Sequence, residues 1–397
     1  AFRGAAALPD CLLQPPLVSL LPASAAAARR APRARRPFAR MDGVASEEEF
    51  LAACHGVRAG WIDFALCQQM LTQDIRVLAP VDGSARAMTG LTYILEGWLQ
   101  HDKTAFVCVL HVYDEGKTYL PYNCQKDRLK TSCEAILESS VSHTRFRLEF
   151  VERKQESTWH HICKVVGSLP ANFVCMGFFG LKYQDKKEQD VDFMGTRFSS
   201  NVFHVLNMGK SCGVICIKDD SLDLLPLRRP ATYVVSVNLS RPAMKAFMDA
   251  LRLSKPGDVI HAVYVKSFVE TQSHMQTDPG YTTAVCALYK TLCRWLREGS
   301  VEFLAPYRDR TVDFVALDKT AEQRVPEVVV NYAEELGADF VAVGANAASR
   351  VARGKPPVGT ASLRICLATT RNVIVSSWFD VSPRVYESCV RGALAPE

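Results

Sequence analysis

Val77 to Leu95 reads VLAPVDGSARAMTGLTYIL, and Tyr233 to Leu251 reads YVVSVNLSRPAMKAFMDAL. Set one above the other without gaps, Val81 meets Val237, Ser84 meets Ser240, Ala87 meets Ala243, Met88 meets Met244 and Leu95 meets Leu251. Each stretch opens as an apolar strand, passes a short polar turn and enters a helix. Met88, Leu91 and Leu95, like Met244, Phe247 and Leu251, recur at the spacing of one helical face.

Two further pairs follow in the same order. Ala171 to Gly177 (ANFVCMG) matches Ala338 to Gly344 (ADFVAVG), each an apolar strand ending in glycine. Gly195-Thr196 matches Gly359-Thr360, and each precedes a helix-length segment and a final strand. Three anchors in one order describe a tandem repeat. A unit of about 150 residues is a whole domain rather than one turn of a solenoid.

In the first copy, strands are predicted at Ile75–Val81, Phe106–Tyr113, Arg145–Val151, Asn172–Met176 and Val214–Ile217, with helices near 85–99, 125–140, 156–168 and 196–208. The second copy repeats the plan at Tyr233–Val237, Asp258–Val265, Val312–Ala316, Asp339–Val343 and Asn372–Ser376, interrupted by Gly299 to Arg310. Apolar strands alternating with helices imply right-handed crossovers and a parallel sheet covered on both faces. The fold class is therefore α/β: two tandem Rossmann-like domains, each a five-stranded parallel sheet with helices on both faces. Residues 74–220 and 231–379 carry the two domains. Residues 46–73 are predicted to add an N-terminal helix, 221–230 to be a linker and 380–397 a C-terminal tail.

The net charge of +5 conceals an uneven distribution. Residues 1–40 hold seven arginines and a single acid, Asp10; the remainder carries 40 basic and 41 acidic residues. A near-neutral folded part gives no clustered basic face for nucleic acid. No run of eighteen apolar residues suggests a membrane span. Fourteen cysteines include no C-x-x-C pair, and Cys108, Cys175 and Cys216 sit in apolar runs. That usage fits small core residues in a reducing compartment better than a metal site. His160 and His161 follow Trp159 in a helical pattern and point apart as neighbours, which disfavours joint metal ligation. Residues 1–45, rich in Ala, Arg and Pro, are expected to be disordered. They read either as an organelle transit peptide or as translated upstream sequence ahead of Met41. The expected location is cytoplasmic, with plastid or mitochondrion as the alternative if the arginine-rich segment is a genuine transit peptide.

On an open parallel sheet, ligands bind beyond the carboxyl ends of the strands at the point where strand order reverses. The polar and glycine residues fall there. Asp82-Gly83-Ser84 follows the first strand, and Gly177-x-x-Gly180 follows the fourth. After a loop, Gly195-Thr196 opens a helix. Glycines let backbone N–H groups approach phosphate oxygens, and a helix N-terminus supplies unpaired donors. Thr196 is suited to cap that helix and donate to a phosphate. Asp82 is suited to accept from an adenine amine or ribose hydroxyl. Each of these also has a plain reading, as a turn, a helix cap or a tight bend; in combination they describe a nucleotide site.

With these residues in place, the chain resembles the universal stress protein family in its tandem form, within the adenine nucleotide alpha hydrolase-like fold. The family pattern places an Asp after strand one. After strand four come Gly-x-x-Gly, nine residues and Gly-Ser/Thr. The resemblance implies ATP, with or without Mg, held by Asp82, Gly83, Ser84, the backbone near Val112, Gly177, Gly180, Gly195 and Thr196. The loop from Leu181 to Met194 is longer than the family's and carries four acids beside Lys182, Lys186 and Lys187. Where the family has a further small hydroxyl residue, this chain has Phe198, and Ser199 is the nearest substitute.

In the second copy, Asn238 replaces the Asp and Ala347 the second glycine. That copy keeps Gly344 and Gly359-Thr360-Ala361-Ser362, with Arg350, Arg353 and Lys355 in the loop. The first copy has the fuller glycine and adenosine pattern; the second has the better phosphate charge, with Arg353 among its candidates.

The resemblance implies an adenine-nucleotide-binding stress or signalling protein that performs at most slow ATP hydrolysis. Its alternative is a scaffold in which both sites have decayed. Pairing through the last strand is implied, between the two copies or between chains of a homodimer. The related adenylate-forming and nucleotidyl-transfer enzymes carry His-x-Gly-His or Ser-Gly-Gly-x-Asp-Ser, and neither motif occurs here.

Overall fold

Strands with no polar alternation demand cover on both faces, and the central strands among the described residues receive it, while the edge strands stay partly exposed. The structure is a computed structural model describing residues 64–117, 120–180, 199–208, 212–219, 225–227, 229–266, 279–346 and 358–378. The first copy contributes β1 (Arg76–Pro80), β2 (Phe106–Tyr113), β3 (Phe146–Glu152), β4 (Phe173–Gly177) and β5 (Gly213–Ile217). The second contributes β6 (Thr232–Ser236), β7 (Val259–Lys266), β8 (Thr311–Asp318), β9 (Phe340–Asn346) and β10 (Asn372–Trp378).

All ten lie in one sheet, in the order β3-β2-β1-β4-β5-β10-β9-β6-β7-β8. Each copy has the Rossmann-like order 3-2-1-4-5, and every pairing within a copy is parallel. The copies meet at β5 and β10, which pair antiparallel with Ile374 opposite Ile215.

Helices cover the sheet on two sides. One side carries α1 (Phe64–Thr72), α2 (Ala85–Tyr93), α3 (Lys126–Ser140), α6 (Arg241–Leu253) and α7 (Pro279–Glu298). The other carries α4 (Thr158–Ser168), α5 (Ser200–Leu206), α8 (Val325–Leu336) and α9 (Thr360–Ala368). Alternate strand residues feed the two cores: Val77 and Ala79 face the first, Leu78 the second.

Two differences from the sequence reading have physical causes. The helix expected over 85–99 is α-helical only to Tyr93 and continues as a π-helical turn, Ile94–Trp98. There Gly97 lies against the ring of Tyr93, within 3.0 Å of where a Cβ would stand. The helix expected from residue 196 begins at Ser200, because Ser199 is its cap: the Val202 N–H donates to Ser199 Oγ at 3.2 Å. Of the added N-terminal helix, the described part is α1.

The seam between the copies is tightly packed. Tyr93 from α2 stacks on Phe340 from β9 at 5.5 Å, and Phe340 stacks on Tyr233 from β6 at 5.1 Å. Within the second copy, Lys245 and Asp249 on α6 form a buried ion pair at 2.5 Å, and Ser376 Oγ of β10 donates to the same carboxylate oxygen at 2.7 Å. Arg252 lies over the Phe173 ring of the other copy.

Candidate functional site

In a sheet of this order, β1 has β2 on one side and β4 on the other, so the chain departs in opposite directions and leaves a crevice. In the first copy the crevice is open, with a volume of about 1080 Å³ at the carboxyl ends of β1, β2 and β4. Asp82, Ser84, Val112, Gly177, Gly180 and Ser199 line it together.

Local chemistry explains each position. Asp82 Oδ1 accepts from the Ser84 N–H at 3.0 Å, and Ser84 Oγ accepts from the Ala87 N–H at 3.4 Å, capping α2. Gly83 between them has φ +81, and a Cβ there would stand 2.9 Å from Cys124 Sγ; the turn needs glycine on both counts. Gly177 is the last residue of β4 and packs on the first turn of α2, 3.1 Å from the Ala87 nitrogen to an added Cβ. At Gly180 the same test meets Asp82 Oδ2 at 3.0 Å, so this glycine leaves room for the carboxylate. Ser199 caps α5 on the far wall. Gly195 and Thr196 lie outside the described residues, and the cap expected of Thr196 belongs to Ser199.

In the second copy, Asn238 does the work of Asp82: its Oδ1 accepts from the Ser240 N–H at 2.8 Å, and Ser240 caps α6. Gly344 is pressed against α6, where a Cβ would fall 2.4 Å from the Pro242 carbonyl carbon. Gly359 caps α9, Thr360 is its exposed first residue, and Ser362 Oγ donates to the Gly344 carbonyl at 2.7 Å. That bond commits the hydroxyl proton to the strand end. Arg353 lies outside the described residues.

The structure adds residues that the motif reading did not reach. His111, on β2, lines the first cleft and is almost wholly buried. Its Nδ1 donates to the Val81 carbonyl at 2.8 Å, so the neutral ring presents an Nε2 lone pair. Burial holds its pKa below the ordinary histidine value, against the opposing pull of the Val81 carbonyl and Asp82. Arg153 follows β3 and lines the same cleft, as do Tyr113, Phe179 and His204. His204 stacks on Trp159 at 4.6 Å, and burial, aided by His160, lowers its pKa. The signal for His111 and Arg153 was available: each stands within a residue or two of the end of its strand.

No protein-family model matches the sequence, and no curated protein matches it. Solved structures do. A universal stress protein from Archaeoglobus fulgidus superimposes with a TM-score of 0.50 at 15% identity, covering 77% of this chain and 99% of that one. A functionally unknown protein from Pseudomonas aeruginosa gives 0.49 at 10% identity, over 82% and 99%. A universal stress protein from Lactobacillus plantarum gives 0.26 at 20% identity, over 37% of this chain and 98% of that one. The fold of this chain is the universal stress protein fold, α/β with tandem Rossmann-like domains.

Proposed function

We propose that the first copy binds an adenine nucleotide, ATP with or without Mg, and that the chain acts in stress response or signalling through it. The observation that carries this reading is the open cleft of about 1080 Å³ at the switch point of the first copy, lined by Asp82, Val112, Gly177, Gly180 and Ser199. Its volume suits a nucleotide-sized ligand. Adenosine would lie between Asp82 and the end of β2, where carboxylate and backbone accept from an amine or ribose hydroxyl. The phosphates would extend towards Gly180, Ser199 and the chain between them, which contains Gly195, Thr196 and three lysines.

The second copy is the weaker candidate. Asn238 provides a single carbonyl acceptor, already used by Ser240, and the Ser362 hydroxyl is spent on Gly344. The reading is of a binder whose nucleotide state changes its partners. Calorimetric titration of the full chain with Mg-ATP tests it: saturable one-site binding is expected. No heat and no shift in melting temperature at millimolar Mg-ATP would reject it.

A further inference from the structure

The cleft has a further wall, formed by the chain after β3 and the start of α4. At its β2–β3 end, polar groups stand without partners. Among the described residues, the Arg153 side chain has no hydrogen bond or ion pair, and its Nε is buried. His111, 5% exposed, has a buried Nε2 with no hydrogen-bond partner. A buried polar atom left unmade costs about 1–3 kcal/mol, so two in one cleft call for an explanation. Beside Arg153, α4 begins at Ser157 and Thr158, both lining the cleft. Ser157 does not cap the helix with its side chain; its Oγ is 2.8 Å from His160 Nδ1. Of the first-turn N–H groups of this eleven-residue helix, that of His160 donates to the Ser157 carbonyl at 3.0 Å, while those of Thr158 and Trp159 precede any intrahelical acceptor and favour negative charge. Glu156, the acid nearest that turn, is held by Lys164 at 2.6 Å and faces His161 at 3.6 Å.

We propose that this end of the cleft is an oxyanion subsite, in which Arg153 and the first turn of α4 receive a phosphate-class group separate from the nucleotide's own phosphates. Arginine forks onto two oxygens of such a group, and the helix turn donates to a third. A protonated phosphate oxygen, or a hydroxyl beside it, is the donor that the His111 lone pair lacks. The subsite goes beyond the nucleotide reading, since Arg153 and the first turn of α4 are not among the residues assigned to the nucleotide.

Orthophosphate, titrated calorimetrically into the full chain at constant ionic strength, is the probe. Saturable binding is expected, weakened about tenfold or more in Arg153→Gln and less in Arg153→Lys. Arg147→Gln should leave it unchanged; it removes an equal charge from an exposed arginine of β3 that is paired with Glu149. Three results overturn the proposal: no saturable phosphate binding, binding that both Arg153 variants leave intact, or acetate bound as tightly as phosphate. Binding lost in Ser199→Ala but kept in Arg153→Gln would assign the anion to the nucleotide end and overturn it equally. Mg-ATP titrated into the same proteins keeps the two readings apart. A chain that takes phosphate at Arg153 and refuses ATP sinks the nucleotide reading alone.

Discussion

Asp82 and Asn238 make the same bond, from a side-chain oxygen to the amide two residues on, at 3.0 and 2.8 Å. An amide therefore replaces the carboxylate without loss of the turn. What changes is the second oxygen, which stands by Gly180 in the first copy. Asp82→Asn should accordingly leave stability within about 0.5 kcal/mol, read by urea unfolding. It should weaken Mg-ATP binding about tenfold, the worth of one charge-assisted hydrogen bond. Equal binding by the two proteins would remove Asp82 from the site. This pair also marks where sequence stops short. The aligned turns were legible from Val81, Ser84 and Ala87 against Val237, Ser240 and Ala243. The Gly344 contact with Pro242 was not, because a close approach between strand and helix depends on packing angles that no motif spells out.

At the level of elements, the strands were legible and one helix start was not. Continuous apolar runs bounded by turns admit little else, so all ten strands fall where the runs predict, to within a few residues at their ends. The start of α5 is different. Gly195-Thr196 and Ser199 both offer cap chemistry, and spacing favours the first. The helix forms from Ser200 because Val202, Val205 and Leu206 then reach the core together. Removing the cap with Ser199→Ala should cost about 1 kcal/mol, seen as a lower urea midpoint with unchanged slope. A larger loss would mean that the serine supports more than the helix end. His111 and Arg153 were missed for a related reason: unpaired atoms are a property of three-dimensional neighbours, and neither residue belongs to a glycine motif.

The molecule as a whole behaves as one sheet shared by two copies. β5 and β10 join the half-sheets, Tyr93, Phe340 and Tyr233 stack across the seam, and Asn207 beyond α5 accepts from the Val358 N–H of the other copy at 3.3 Å. Four histidines, His101, His111, His204 and His261, are held below their ordinary value, in each case chiefly by burial. Unfolded histidine titrates near 6.5, roughly, so below that pH the unfolded chain binds more protons than the folded one. Stability should be complete above about pH 6.5 and decline as pH falls through it towards the depressed folded values. Calorimetric melting at pH 7.5 and 5.5 measures this, and equal melting temperatures would contradict it. The central claim is that the first-copy cleft seats an adenine nucleotide, and a crystal structure of the full chain grown with Mg-ATP tests it most directly. The account predicts adenosine between Asp82 and Val112, phosphates towards Gly180 and Ser199, and the weaker or no density in the second copy. An empty first cleft, or nucleotide seated at Asn238 and Gly359 instead, would contradict it.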